Sequence, residues 1–129
     1  MIKKSLQEKF PGAKIKKVMF TDYNFKLNLN GKTYHVKILN VNRSTILSIN
    51  SKFIWELNKG KAVGINFKTS SKTLVDMKPF SKRSNKIIIF RNQPYKILKF
   101  INESEVVDIS KSNKIFDILI FNSIKEMTV

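Results

Sequence analysis

The sequence has no cysteine, one histidine and only four glycines, and each scarcity excludes a class of site. Without cysteine there is no disulfide framework, no thiolate metal site and no cysteine nucleophile. With His35 as the only histidine, a serine triad or a metal site with two histidine ligands is difficult to build. The glycines, at positions 12, 31, 60 and 64, stand alone. No phosphate-binding glycine loop is therefore present.

Long hydrophobic runs are also missing. The apolar segments 87–90 and 115–121 are far shorter than the roughly 20 residues that a membrane span needs. The first ten residues lack the apolar stretch of a signal peptide. We therefore expect a soluble, cytoplasmic protein without a membrane partner. A chain of 129 residues is long enough for one domain with its own core, so we expect a single domain over 1–129.

Acidic residues are scarce. The chain has 25 Lys and Arg against 9 Asp and Glu, a formal charge of +16. Up to Lys99 there are 22 basic and 4 acidic residues, whereas from Phe100 onward there are 3 and 5. Such a field attracts polyanions, of which nucleic acid is the commonest, with anionic membrane or an acidic protein as rivals. An AT-rich genome, which inflates Lys, is the alternative explanation.

The segment 22–38 predicts a β-hairpin. Asn30-Gly31 is a strong signal for a type I′ turn, which needs positive φ at both central residues. If Leu29 pairs with Lys32, the residues separate completely by type on the two faces of the hairpin. The apolar face collects Tyr23, Phe25, Leu27, Leu29, Tyr34, Val36 and Ile38, and the polar face collects Asp22, Asn24, Lys26, Asn28, Thr33, His35 and Lys37.

The remaining elements follow from apolar periodicity and breakers. We expect helices at 2–9 and 51–59, the second capped by Asn50 and ended by Gly60, and an irregular polar segment at 41–48. We expect strands at 15–19, 62–67, 73–77 and 86–91, a basic loop at 79–85 and a short apolar segment at 106–109. Residues 94–101 and 115–124 are each compatible with a helix or a strand. The sum is an α/β fold with a mixed central sheet flanked by helices.

A helix bearing Glu8, a hairpin bearing Asp22, and the segment Tyr34-His35-Val36-Lys37-Ile38 occur in an order that resembles the PD-(D/E)xK nuclease superfamily. Its archaeal Holliday-junction-resolvase branch is the most similar in size and spacing, and the resemblance covers about residues 1–77. It implies a restriction-endonuclease-like fold and, if the protein is catalytic, Mg²⁺ or Mn²⁺. Asp22 would then be a metal ligand, Lys37 the cation beside the attacking water, and Glu8 the helix acid.

The chain departs from that family at His35, where the family has Glu or Asp. Mg²⁺ prefers oxygen ligands, so an imidazole in that position weakens the site and favours softer metals or none. Either the active site is degenerate and the fold survives as a binding platform, or another acid substitutes. Some members of the superfamily place that acid on the following helix, where Glu56 is the only candidate.

The sequence thus favours a DNA-binding protein with a degenerate nuclease-like site. The expected partner is DNA or branched nucleic acid, held mainly through its phosphates by Lys26, Lys32, Lys37, Lys82 and Arg83. The alternatives are an active metal-dependent endonuclease or junction resolvase that uses Asp22, Lys37 and Glu56 or His35, and a basic protein-interaction module or regulator. Because resolvases of this branch act as dimers, the resemblance also leads us to consider a homodimer.

Overall fold

The chain folds mainly into β-strands. The computed structural model describes residues 2–102 and 104–129, and this part of the chain contains eleven strands, two short α-helices and a 3-10 turn. The helices are α1 (Ile2–Lys9) and α2 (Lys78–Ser81), and the 3-10 turn is Ile124–Glu126. The strands are β1 (Lys14–Lys17), β2 (Phe25–Leu29), β3 (Lys32–Leu39), β4 (Thr45–Ile49), β5 (Ile54–Val63), β6 (Asn66–Asp76), β7 (Lys86–Phe90), β8 (Lys96–Asn102), β9 (Glu105–Asp108), β10 (Lys114–Ile115) and β11 (Ile118–Phe121).

Asn30 and Gly31 form the turn between β2 and β3. Their φ angles are 54° and 77°, so both are positive, as a type I′ turn requires. Leu29 pairs with Lys32, which is the register expected from the sequence. Leu27 on β2 and Val36 on β3 are fully buried on one face, and this burial of every second residue fixes the register.

The first sheet contains six strands in the order β1-β2-β3-β7-β11-β10. Its centre is parallel, because β7 pairs in parallel with both β3 and β11. All five residues of β7 are buried, as its unbroken apolar run predicts. One face of this sheet packs against α1 and the C-terminal segment in a core that we call the helix-side core. It contains Leu6, Ala13, Phe25, Leu27, Val36, Ile87, Ile89, Phe121 and Met127.

The second sheet contains five strands in the order β6-β5-β4-β8-β9, with β4 and β8 parallel. It packs against the other face of the first sheet and encloses what we call the inter-sheet core. This core contains Tyr23, Leu39, Val41, Leu47, Ile49, Trp55, Leu57, Met77, Phe80, Ile88, Phe90, Ile97, Ile115, Ile118 and Ile120. The layers are therefore a short helix, a mixed sheet and a second mixed sheet.

Tyr23 does not lie on the face that we predicted. It precedes β2 in an irregular segment, and its ring packs in the inter-sheet core, whereas Phe25 packs in the helix-side core. The alternation predicted for the hairpin therefore begins at Phe25. An extended pattern cannot be continued past the point where regular strand geometry ends.

The predicted helix at 51–59 is wrong, because residues 51–53 form a bend and residues 54–59 belong to β5. Phe53, Ile54 and Leu57 have helical spacing, but the fully buried residue is Trp55, and it alternates with Ile54 and Glu56 as in a strand. Gly60 does not end a helix. It lies at a register shift in the β5–β6 pairing, where an added Cβ would be 1.9 Å from the carbonyl oxygen of Lys68.

Two neighbouring predictions are also wrong. Residues 41–48 were expected to be irregular, but Thr45–Ile49 forms β4, and all five of its residues are buried. Residues 62–67 were expected to form a buried strand, but they contain the turn between β5 and β6, with Gly64 at φ 60° and Ile65 fully exposed. The strand expected at 73–77 is the end of β6, whose eleven residues are mostly exposed.

In the C-terminal third, both undecided segments are mainly strands. Residues 94–101 contain most of β8, and residues 115–124 contain β11, which lies inside the first sheet beside β7. The strand at 86–91 and the helix at 2–9 are confirmed. The loop expected at 79–85 begins with α2, which buries Phe80.

The chain is thus a single small α+β domain with two mixed sheets and two helices. The mixed sheet is as expected, but the flanking helix at 51–59 is replaced by strands of a second sheet. Within residues 2–102 and 104–129, none of the helices has the length and apolar character needed to cross a membrane.

Candidate nucleic-acid interface

Strands β1, β2 and β3 present a row of polar side chains on one face of the first sheet. Lys16 pairs with Lys26, and Lys26 pairs with His35, so the three share one face. In the neighbouring row, Lys14 pairs with Asn28, and Asn28 pairs with Thr33. We call this set the hairpin surface: Lys14, Lys16, Lys26, Asn28, Thr33 and His35. Its three lysines are exposed.

The lysines of the hairpin surface lack counter-charges. Lys16 and Lys26 are directly opposite each other, and like charges in that position destabilise a sheet. In the described part of the chain, neither takes part in an ion pair; the three ion pairs found there join Lys72 to Glu56, Arg83 to Asp22 and Lys86 to Asp117. A bound anion would relieve this repulsion.

Asp22 is held by Arg83 at the edge of the hairpin surface. Arg83 donates two hydrogen bonds to the carboxylate, from Nη2 to Oδ1 at 2.8 Å and from Nε to Oδ2 at 3.2 Å. These bonds hold the pKa of Asp22 below its ordinary value, although burial opposes the shift. The two charges neutralise each other. Arg83 is therefore less available to a phosphate than the sequence alone suggests, and the lone pairs of Asp22 are already occupied.

Lys37 is also turned inward. Its Nζ donates a hydrogen bond to the backbone oxygen of Asp22 at 2.8 Å and lies 5.9 Å from the ring centroid of Phe80. Burial lowers the pKa of Lys37, and the charge of Asp22 opposes that shift. Lys37 therefore braces the loop before β2 against α2 and presents little of its charge to solvent.

His35 joins β3 to the loop after α2. Its Nδ1 lies 2.6 Å from the backbone oxygen of Ser84, and since a carbonyl oxygen only accepts, Nδ1 carries the proton. The imidazole meets the ring of Tyr23 edge-on, with centroids 5.0 Å apart, and the guanidinium of Arg83 lies 5.0 Å from the same Tyr23 ring. This leaves Nε2 of His35 as the ring atom able to accept a hydrogen bond.

Lys26, Lys32 and Lys82 are the predicted phosphate contacts that are exposed and, among the described residues, form no ion pair. Lys26 lies in the hairpin surface, and the Nζ of Lys32 lies over the ring of Tyr34 at the turn, 5.4 Å from its centroid. Lys82 follows α2 and borders a surface cavity of about 410 Å³ together with Lys78 and Asp76. Lys26 and Lys32 come from the hairpin that carries His35, and Lys82 comes from the segment after α2 that His35 contacts through Ser84.

Glu56 and Glu8 lie far from this cluster in the fold. Glu56 is on β5 of the second sheet, where it accepts a hydrogen bond from Asn50 at 2.9 Å, pairs with Lys72 at 3.5 Å and borders a cavity of about 430 Å³. Glu8 is on α1, which packs on the face of the first sheet that carries Val36, whereas His35 is on the opposite face.

The predicted metal ligands therefore do not fit a metal site. Asp22, His35 and Glu8 are not brought together, and nowhere in the described residues do three His, Cys, Asp or Glu side chains form a group that could hold a metal ion. The carboxylate of Asp22 already accepts hydrogen bonds from Arg83. The arrangement offers positive charge and exposed amide N–H donors, which suits the binding of an anion.

The sequence did not predict the positions of two lysines, Lys86 and Lys16. Lys86, at the start of β7, is only 3% exposed; its Nζ donates to the backbone oxygen of Ser81 at 2.7 Å and pairs with Asp117 at 2.8 Å. It pairs across the sheet with His35, so it extends the row of the hairpin surface into the interior. Lys16 was missed because β1 was predicted only as a short strand, without a register to β2.

Comparison with protein-family models, curated proteins and solved structures finds no match for this chain. The resemblance to PD-(D/E)xK nucleases thus stays a prediction from the sequence.

Proposed function

We propose that this protein binds DNA, mainly through phosphate contacts, and that the hairpin surface is a principal contact. The observation that carries this proposal is the row Lys16–Lys26–His35, in which two exposed lysines are directly opposed without an ion pair among the described residues. A phosphate backbone is the common partner that neutralises several adjacent lysines at once. The exposed Lys32 and Lys82 flank the same region.

Coding bias is the main competing explanation for the charge, and it makes a different prediction. Bias raises the number of lysines but gives no reason for opposing them on one face of a sheet, where their repulsion lowers stability. It also gives no reason for Asp22 to be neutralised by Arg83. The placement of these lysines on one face of the sheet therefore supports DNA binding more strongly than the number of lysines does.

The nuclease-like interpretation is proposed only in its non-catalytic form. The resemblance needs an acid near Asp22 and Lys37, but His35 stands in the family's acidic position, and Glu56 belongs to a strand of the other sheet. Lys37 is bonded to the backbone of Asp22. An active endonuclease would cut linear, flapped or four-way DNA with Mg²⁺ or Mn²⁺ and lose this activity in Asp22→Ala; we expect intact DNA from both proteins.

Fluorescence anisotropy of a labelled DNA duplex in a salt series tests the proposal. Lys16→Gln/Lys26→Gln removes two phosphate contacts, so the slope of log affinity against log salt should become shallower by about 2, with affinity at moderate salt lowered about tenfold. Lys111→Gln/Lys114→Gln is the matched control, since it removes the same charge from the segment before and at the start of β10.

Equal effects of both double variants would show that only net charge matters and would contradict a specific hairpin surface. If the wild-type protein shows no salt-dependent binding of duplex or four-way DNA, the DNA-binding function itself is wrong. A protein partner that co-purifies with the chain, together with indifference to DNA, would support the interaction-module alternative. A melting temperature of Lys16→Gln/Lys26→Gln that is equal to or higher than that of the wild-type chain would confirm that these lysines do not maintain the fold, because the substitutions relieve the repulsion between them.

A further inference from the structure

The far end of the β5–β6 hairpin extends beyond the sheet that supports it. In the described part of the chain, β4 pairs with β5 only as far as Lys59, whereas β5 and β6 continue to pair up to Val63 and Asn66. We call residues 60–69 the ribbon. Gly64 and Ile65 form its turn, and Gly64 has the positive φ that a type II′ turn needs at its first central residue.

The base of the ribbon is bent and anchored. The β5–β6 register shifts between Lys59 and Gly60, and a bulge of this kind bends and twists a hairpin. The missing side chain of Gly60 lets the backbone of Lys68 approach closely. On one face, the ring of Phe67 stacks on Tyr95 with centroids 5.5 Å apart. The ribbon is therefore held in one direction and not merely attached by a loop.

The other face and the tip are open and positively charged. Lys61 pairs directly with Lys68, and Val63 pairs with Asn66, so these four residues share the face opposite Phe67. Ile65 at the tip is 100% exposed and Val63 is 52% exposed. From residue 57 to residue 75 there are four lysines and no acid. A second like-charge pair thus faces solvent beside an exposed apolar tip.

We propose that the ribbon enters the major groove of B-form DNA, with Ile65 against the base edges and Lys61 and Lys68 on the phosphates at the groove rims. This inference rests on the proposed DNA-binding function. The major groove is about 12 Å wide and 8.5 Å deep and admits a two-stranded ribbon. Gly64 lies three positions after Lys61, a reach of roughly 10 Å at 3.3 Å per residue. When the tip touches the bases, the lysines are therefore level with the phosphates.

Other occupants fit the ribbon less well. A second copy of a chain with charge +16 would bring like charges together at Lys61 and Lys68. Insertion into lipid would bury the free backbone N–H and C=O groups of the ribbon edges without hydrogen-bond partners. In a DNA groove the C=O groups stay hydrated, and the N–H groups stay hydrated or donate hydrogen bonds to phosphate oxygens. The apolar tip can contact thymine methyl groups, which line that groove.

The groove model predicts a preference for DNA over RNA duplexes. The major groove of A-form RNA is deep and too narrow for side chains to read, so an RNA duplex of the same sequence should bind about tenfold more weakly. Ile65→Ser should weaken binding to the DNA duplex severalfold, leave the salt slope unchanged and leave binding to the RNA duplex unchanged. Lys61→Gln/Lys68→Gln should make the DNA salt slope shallower by about 2.

The experiment is an anisotropy titration of matched DNA and RNA duplexes with the wild-type chain, Ile65→Ser, Lys61→Gln/Lys68→Gln and the Lys111→Gln/Lys114→Gln control.

Equal binding of DNA and RNA, or ribbon variants that bind DNA like the control, would overturn the ribbon inference. If Lys16→Gln/Lys26→Gln still weakens binding in that case, the proposed function stands without the ribbon. If the wild-type chain binds neither duplex, the proposed function fails first. If Ile65→Ser reduces co-sedimentation with anionic phosphatidylserine vesicles and leaves DNA binding unchanged, the tip binds lipid and not DNA.

Discussion

The β2–β3 and β5–β6 hairpins both turn through a glycine with positive φ, but they differ in what lies beside them. β3 pairs with β7 from His35 to Leu39, and α1 covers one face of the first hairpin, so Leu27 and Val36 are fully buried. The second hairpin leaves its sheet after Lys59, and both strands of its outer half are mostly exposed. One hairpin is therefore part of the core, and the other is a projecting arm.

If the proposed function holds, this difference separates the residues that stabilise the fold from those that bind DNA. Leu27 and Val36 of the first hairpin are held by packing in the helix-side core, whereas its opposite face carries the exposed Lys26. The ribbon has little packing to lose, so Lys61, Ile65 and Lys68 can be changed with little effect on stability.

Leu27→Ala should show the strongest loss of stability. Leu27 is fully buried in the helix-side core, so its truncation removes buried surface and leaves a cavity, at a cost of about 2–5 kcal/mol. Ile65→Ala at the ribbon tip should change the free energy of unfolding by less than about 0.5 kcal/mol. Urea unfolding of both variants measures the contrast, and similar values would contradict the description of the ribbon as a projecting arm.

Gly60→Ala should destabilise the base of the ribbon. The new Cβ would lie 1.9 Å from the carbonyl oxygen of Lys68, so the backbone of one strand must shift, at a cost of about 1–3 kcal/mol. DNA affinity should fall as well, because the direction of the ribbon changes. Calorimetry and the anisotropy titration measure the two effects. Normal stability with normal DNA binding would mean that the close approach at Gly60 is not needed.

Gly31→Ala should cost less, for a different reason. No atom lies within 4 Å of a Cβ added at Gly31, but its φ of 77° is strained for alanine, by roughly 1–2 kcal/mol. Gly12→Ala is the control, since that position has open space and no positive φ. A destabilisation of Gly12→Ala as large as that of Gly31→Ala would show that the effect does not come from the turn conformation.

Asp22→Asn should have the smallest effect, and one that depends on pH. Because the folded-state pKa of Asp22 lies below the ordinary value of 3.8, ionised Asp22 stabilises the fold above that pH, and this contribution is lost as the pH falls through the folded pKa. The wild-type chain should therefore exceed Asp22→Asn in stability at neutral pH, and the difference should shrink below about pH 4. A difference that does not change with pH would argue against the ion pair with Arg83 as its source.

The same contrast explains what could be predicted from the sequence. The first hairpin alternates strictly between apolar and polar residues because one face is buried, and Asn30-Gly31 fixes its turn. The second hairpin has no such pattern, since most of its residues face solvent on both sides. Phe53, Ile54 and Leu57 then matched a helix by chance, although the buried residue of that segment is Trp55.

The candidate site was predictable in part, for a related reason. His35 and Lys37 share the polar face of one hairpin, so the local pattern was enough to place them on one side of the sheet, whereas Asp22 precedes β2 in an irregular segment. Their partners Arg83 and Ser84 follow α2, about fifty residues later, and no local pattern shows that this loop lies against β3. The lysine row depends on the β1–β2 register, which the sequence does not specify.

The salt dependence of DNA binding by the wild-type chain shows whether the protein holds DNA through its phosphates. With about six to ten phosphates contacted by the hairpin surface, the flanking Lys32 and Lys82, and the ribbon, the affinity for a DNA duplex should fall by about 10³ to 10⁵ between 50 and 200 mM salt. An anisotropy titration at several salt concentrations gives this slope without any variant. We predict a steep slope of log affinity against log salt. An affinity that does not change with salt would show that the protein does not bind DNA through phosphate contacts.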